Sequence, residues 1–380
     1  MFDGYKLLQN FTLIITENGT IENIVSSEEA GDDVMKVTGI LCPGFINCHC
    51  HLELSHMKGL IPEKTGLVDF VFKVVTQRYF ALEEIQKAIE KAEEEMKRNG
   101  IVAVGDICNT AHTAEQKQSK NLHYYNFIEV SGWLPQVAHE RLERALTVYN
   151  IFDQMSAADN HLLTSLVPHA PYSVSEELWL LLQSYFTNKT VSIHNQETSF
   201  EDELFIQGGG DFIRMYNLMK IDSTFFSPSG RSSLQTYFSK LDKAQNVMLV
   251  HNTFTKEADV IYAKEQAFLN KQNLFWCLCV NANLYIENVV PPVDILLQNH
   301  CNLVLGTDSL ASNQSLNILD EIKALKQYFS FLTTEQLLQY ATVNGAKALN
   351  MDDQLGSFEK GKQPGVLLLN DELSEVKRLI

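Results

Sequence analysis

Short runs of apolar and β-branched residues recur along the chain, separated by stretches whose apolar positions fall at helical spacing. The runs are 44–49 (GFINCH), 101–107 (IVAVGDI), 125–131 (YNFIEVS), 163–169 (LTSLVPH), 190–195 (TVSIHN), 246–251 (NVMLVH), 273–279 (NLFWCLC) and 302–308 (NLVLGTD). Between them, 81–99 (ALEEIQKAIEKAEEEMKRN) has one apolar stripe and a charged outer face. Ser173 and Glu176 stand in capping-box spacing at the head of 173–184, and Thr333 and Gln336 do the same at 333–342. Eight alternating strand and helix units predict a parallel sheet, closed most economically as an α/β fold of the (β/α)8, TIM-type barrel kind. A doubly wound open sheet is the alternative, but no G-x-G-x-x-G or P-loop opens any unit.

The two ends read differently. FTLIIT (11–16) and VMKVTGIL (34–41), around the turn Glu17-Asn18-Gly19, and GSFEKGKQPGVLLL (356–369) predict short strands. The expected organisation is a barrel over 43–346, with a small β-sandwich-like domain built from 1–42 and 347–380.

Composition narrows the function. The chain has 380 residues, 45% of them hydrophobic and 20% charged, which is ordinary for a soluble globular protein. A net charge of −17 argues against nucleic acid and anionic membranes as partners and leaves a small-molecule substrate. The start, MFDGYKLLQNFTL, has no basic segment leading into an apolar one, and no run reaches the roughly 20 apolar residues a membrane span needs. Seven cysteines without a C-x-x-C predict reduced, buried thiols and a cytoplasmic location. A barrel with an exposed β-appendage is compatible with a homodimer.

The chemistry gathers at predicted strand ends. In PGFINCHCHLELSH (43–56), His49 and His51 are two residues apart and so share one face of a strand. Side-by-side imidazoles are costly unless used, and a divalent metal is their commonest user. His169, His194, His251 and Asp308 end later strands, so five of the chain's 11 histidines lie at or beside carboxyl ends, where barrel enzymes build active sites.

These segments resemble the metal-dependent amidohydrolase superfamily in its aminohydrolase (deaminase) branch. The resemblance runs from PGFINCHCHLELSH through VPHAPYSVSEEL, SIHNQETSFEDELF, LVHNTF and LGTDSLASN to ATVNGAKALNMDDQLGSFEKGK. HCHLELS and FFSPSGRSSLQTYF (225–238) look most like aminodeoxyfutalosine deaminases and their adenosine-type relatives.

The resemblance implies that His49, His51, His194 and Asp308 ligate one divalent metal, Zn2+ first and Fe2+ second, which activates a water as nucleophile. It implies that His251 steadies that water, that Glu197 protonates a ring nitrogen, and that Asp308 takes a proton from the water. No lysine ends the fourth predicted strand, which favours a single metal. His169, Glu53, Glu129 and Arg231 are candidate substrate contacts, with Arg231 in a Ser/Gly-rich loop expected over the pocket. CVNAN (279–283) departs from the branch's Cys-Pro-x-Ser-Asn at Val280 and Ala282, and Pro364-Gly365 replaces Ala-Asp. The activity implied is hydrolytic release of ammonia from an aminated purine-type ring, aminodeoxyfutalosine or an adenosine-like nucleoside. The alternatives are another ring (guanine, S-adenosylhomocysteine or methylthioadenosine, cytosine, a triazine) or a non-catalytic scaffold.

Overall fold

The computed structural model describes residues 1–380. Three strands come first: β1 (Phe11–Ile15), β2 (Ile21–Ser26) and β3 (Ile40–Pro43). The eight expected strands follow as β4 (Phe45–Cys50), β5 (Ile101–Cys108), β6 (His123–Val130), β7 (Leu162–Pro168), β8 (Thr190–Asn195), β9 (Asn246–His251), β10 (Asn273–Leu278) and β11 (Asn302–Leu305). The last two are β12 (Val366–Leu369) and β13 (Val376–Arg378).

All eight middle strands pair in parallel, in two sheets ordered β4-β5-β6-β7 and β8-β9-β10-β11. β4, β5, β8 and β9 are buried along their whole length, as strands covered on both faces must be, which is why they read as continuous apolar runs. The sheets meet edge to edge on both sides. At one seam the amide of His194 donates to the carbonyl of His169 at 3.0 Å. At the other, the amides of Thr307 and Asp308 both donate to the His49 carbonyl, at 2.9 and 3.0 Å. Gly306 makes that approach feasible, because a Cβ there would lie 2.8 Å from the Cβ of His49 and 2.9 Å from the Cys277 sulfur.

Helix Leu82–Arg98 forms as its stripe predicts, burying Ile85, Ile89, Ala92 and Met96, with Glu83 and Glu84 in the first turn and Lys97 and Arg98 in the last. Each of its larger buried side chains contributes about 1.5–3 kcal/mol. The Thr333/Gln336 capping box forms in full at helix Thr334–Ala341. The cap at 173 does not. Helix Glu176–Leu182 is capped by Ser175, whose hydroxyl accepts from the Leu178 amide, while the Ser173 hydroxyl turns to His169.

The end segments also differ from expectation. Around Glu17-Asn18-Gly19 the partner of β1 is β2, not 34–41. Residues 34–39 form no strand: Met35 is 78% exposed and Val37 also faces solvent, so their alternation has no face to bury. Pairing starts only at Ile40, where β3 lies antiparallel to β12, which in turn pairs with β13. Helix Val343–Ala348 crosses the expected boundary at 346/347, and the Ala348 carbonyl accepts from Thr190 on β8. No helix is long and apolar enough to cross a membrane. All seven cysteines are free, and six are buried.

Candidate active site

The carboxyl ends of the strands converge on one polar cluster. His49 lies on β4, and His51 follows it at the start of the 3₁₀ turn Leu52–Met57. Their rings are 5.0 Å apart and nearly perpendicular, and His194 at the end of β8 stands 4.9 Å from His49. Asp308 follows β11 with φ +56°, and His251 ends β9 with φ +73°. These left-handed conformations end the ladders and re-aim both side chains, a strain that functional sites often hold. β11 stops at Leu305 rather than 308, where its partner β10 also ends at Leu278.

One nitrogen or oxygen from each of His49, His51, His194 and Asp308 lies within 4.8 Å of the others. The Nε2 atoms of His51 and His194 face each other at 3.4 Å, and Asp308 Oδ1 is 3.2 Å from His51 Nε2 and 3.6 Å from His49 Nε2. Both ring nitrogens of His49 are buried without a hydrogen-bond partner. Such orphaned donors and acceptors are costly unless something joins them. Burial pushes His51 down to about 3 and lowers His194 well below the usual imidazole range, leaving neutral rings with free lone pairs. His194 Nδ1 lies 2.8 Å from the His169 carbonyl, which fixes the proton there and presents Nε2 to the cluster. Burial works against ionisation of Asp308, but His49, His51 and His251 around it hold its carboxyl well below the usual carboxylate range. Ser312 Oγ donates to Asp308 Oδ2 at 2.5 Å. Three imidazoles and one carboxylate fit a divalent ion of the zinc class.

His251 Nδ1 lies 2.8 Å from the side-chain oxygen of Asn283, and the Asn283 amide nitrogen donates to the His251 carbonyl at 3.3 Å. The His251 proton therefore sits on Nδ1, and Nε2 points to Glu197, 3.7 Å away. Asn283→Ala is expected to lower kcat by about 10- to 100-fold with metal content unchanged, read by steady-state kinetics beside metal analysis. Burial, reinforced by the charges of Asp308, Glu287 and Glu201, pushes the Glu197 carboxyl well above its ordinary range. The loop carrying it is pinned next door: the Gln196 amide donates to Glu201, and the Gln196 side chain donates to Asp202 and Asp259.

The cluster forms the floor of a cavity of about 550 Å3. Its outer wall is apolar, with Leu67, Phe70 and Val71 on helix Leu67–Gln77, Met215 and Tyr216 on helix Phe212–Leu218, and Trp133 stacked on Tyr216 at 5.1 Å. The Asp69–Arg214 ion pair ties the two helices at 2.8 Å. His169 and Glu129 line the cavity near the cluster. His169 Nδ1 bonds Ser173, and Glu129 accepts from Asn109 at 3.0 Å. Burial raises Glu129 to about 8, so it carries a proton at neutral pH.

Two of the expected substrate contacts are not on the cavity wall. Glu53 is buried behind the cavity wall, and its carboxylate accepts from Arg78 at 2.6 Å, from the Asn109 and Thr110 amides and from the Thr110 hydroxyl, residues that themselves line the cavity. Arg231 is exposed and absent from the cavity wall; its guanidinium lies over the Tyr262 ring at 5.4 Å. The Ser/Gly-rich loop instead turns Ser232 and Ser233 inward to Asp259 and Glu201, so its arginine points out. Arg231→Ala is expected to leave kcat/KM unchanged and stability within about 0.5 kcal/mol, measured by kinetics and urea unfolding. The cavity's own cations are Arg78 and Arg141, which no pattern in the sequence singled out. Ser312 could have been read from DSLASN, four residues after Asp308.

A family model described as "Amidohydrolase family" matches residues 40–378, and the chain belongs to that family. It is 25% identical to a 5-methylthioadenosine/S-adenosylhomocysteine deaminase of Teredinibacter turnerae, over 96% of this chain and 80% of the relative. Among solved structures it superposes on Helicobacter pylori aminofutalosine deaminase in complex with methylthio-coformycin (TM-score 0.81, 22% identity, 96% of this chain and 88% of that one). It also superposes on an adenosine deaminase from Xanthomonas campestris with bound zinc (TM-score 0.72, 20% identity, 96% and 81% covered). These structures share the fold of this chain.

Proposed function

We propose that this amidohydrolase is a hydrolytic deaminase of an aminated purine nucleoside, working in a closed (β/α)8 barrel over 43–346. Sheet edges that meet at both seams support closure, and the β3-β12-β13 pairing supports a small β-domain shared by 1–42 and 347–380. The observation that carries the function is the juxtaposition at the cavity floor: a His-His-His-Asp donor set beside Glu197, whose buried carboxyl is pushed well above its ordinary range.

His49, His51, His194 and Asp308 would hold the metal, Zn2+ by the character of the donor set. When bound, it supplies Lewis acidity and makes water a nucleophile near neutral pH. His251 Nε2, its lone pair free, accepts a hydrogen bond from the attacking water. Asp308 takes a proton from that water. Glu197 delivers its proton to the ring nitrogen beside the reacting carbon, which draws electrons from the C–NH2 carbon. The water oxygen bonds to that carbon, Asp308 passes its proton to the amino nitrogen, the C–N bond breaks with its electron pair leaving on ammonia, and the remaining hydroxyl proton returns to Glu197 as ring C=O forms. His169 and protonated Glu129 are placed to meet sugar hydroxyls or the ring edge, the first as acceptor or donor, the second as both.

Substrate choice rests on the cavity's shape and on the relatives. A bare base would leave much of a cavity of about 550 Å3 unfilled, whereas a nucleoside with an apolar 5′ extension would cover the wall of Leu67, Phe70, Met215 and Tyr216. Aminodeoxyfutalosine comes first and methylthioadenosine-type nucleosides next. Ammonia release by zinc-loaded protein from aminodeoxyfutalosine, methylthioadenosine, adenosine, S-adenosylhomocysteine, guanine and cytosine tests this. The highest kcat/KM is expected for a 5′-extended nucleoside; guanine or cytosine as the best substrate would overturn the reading.

A further inference from the structure

Behind β4, on the side away from the cavity, lies a charge pair that the chemistry above does not use. Lys117 and Asp106 are both 0% exposed, with Nζ to Oδ2 at 2.5 Å. Lys117 also donates to Asn126 Oδ1 at 2.7 Å and to the Cys108 sulfur at 3.4 Å, which occupies all three ammonium protons. The rings of Tyr124 and Phe152 flank it at 4.7 and 4.8 Å. A buried ion pair gains little stability over an apolar pair of the same volume, so stability alone does not account for it.

Its geometry does. The β4–β5 ladder ends with Cys50 opposite Asp106, and a register shift precedes that pair. The next free amide, that of Leu52, is buried and directly follows His51. Asp106 Oδ1 accepts from it at 2.9 Å. Lys117 meets the other oxygen and balances its buried charge. Through Asn126 the same ammonium is tied to β6, whose Asn126 amide donates to the Leu163 carbonyl of β7 at 3.1 Å.

We propose that Asp106 is a positioning residue, its buried charge balanced by Lys117: a clamp, outside the pocket, that fixes the backbone after His51 and so sets the His51 imidazole for the metal. The clamp rests on the metal reading given above, and the test separates the two.

Two double variants both remove the buried charges. Asp106→Asn with Lys117→Met keeps an acceptor for the Leu52 amide; Asp106→Leu with Lys117→Met removes it. Zinc affinity is measured by chelator competition, beside urea unfolding and the visible spectrum of cobalt-loaded protein. The Asn pair is expected to bind zinc within about threefold of wild type, and the Leu pair about 10- to 100-fold more weakly, with a cobalt spectrum shifted only in the Leu pair. A purely structural pair predicts lowered unfolding midpoints but equal zinc affinity and overlaid spectra, and that result would overturn the clamp. Should the Leu pair not fold, Asp106→Ser with Lys117→Met, too short to reach Leu52, replaces it with the same expected direction and the same overturning result. Wild-type protein that binds no zinc would instead overturn the metal reading.

Discussion

Glu197→Gln lowers kcat by about 10²- to 10⁴-fold and leaves zinc content at the wild-type level. Glu197 is 4% exposed at the cavity floor, and burial pushes its carboxyl well above the ordinary range, towards the protonated form. Glutamine preserves volume and can still donate an N–H to a ring nitrogen, so binding and KM change little. It cannot release a proton, so the ring carbon is not activated. The variant therefore separates proton delivery from metal binding and from pocket shape. Steady-state kinetics with metal analysis on the same sample reads all three, and full turnover by this variant would remove Glu197 from the mechanism.

His194→Ala gives the largest loss, about 10⁴-fold or more in kcat/KM, because water is no longer a nucleophile near neutral pH without the metal. His194 is the member of the donor set that links the two sheets: its amide and Nδ1 both reach the His169 carbonyl across the seam, while Nε2 faces His51. On the proposed metal reading, replacing it removes one of the four donors and leaves His49, His51 and Asp308 to hold the cation. Zinc content after dialysis is expected to fall to near zero, with the circular dichroism spectrum retained. Wild-type zinc content in this variant would contradict the donor set.

How much of this was legible in the sequence follows from where each signal resides. The eight middle strands were readable because a parallel strand covered on both faces is apolar throughout, and the runs mark that directly. His49, His51, His194 and Asp308 were readable because each closes such a run. Residues 34–39 were misread because alternation predicts a strand only when one face has something to cover, and Met35 and Val37 have nothing. Glu53 and Arg231 stand off the cavity wall for a related reason. Proximity to the right segment in sequence does not fix which way a side chain turns, and the 3₁₀ turn after His51 sends Glu53 to Arg78 while the 225–233 loop turns its serines inward. The left-handed turns at His251 and Asp308 have no glycine to announce them. The bracing partners Asn283, Ser312 and the Lys117–Asp106 pair are contacts between elements far apart in the fold or chain, which periodicity cannot show.

The most direct test of the central claim is ammonia release from a 5′-substituted adenosine by metal-stripped protein titrated with Zn2+. The account predicts no release without metal, a linear rise with added zinc, and saturation at about one equivalent, as a single three-His, one-Asp site requires. Equal release from stripped and loaded protein, or one tightly held equivalent of zinc with no release from any adenine nucleoside, would contradict it.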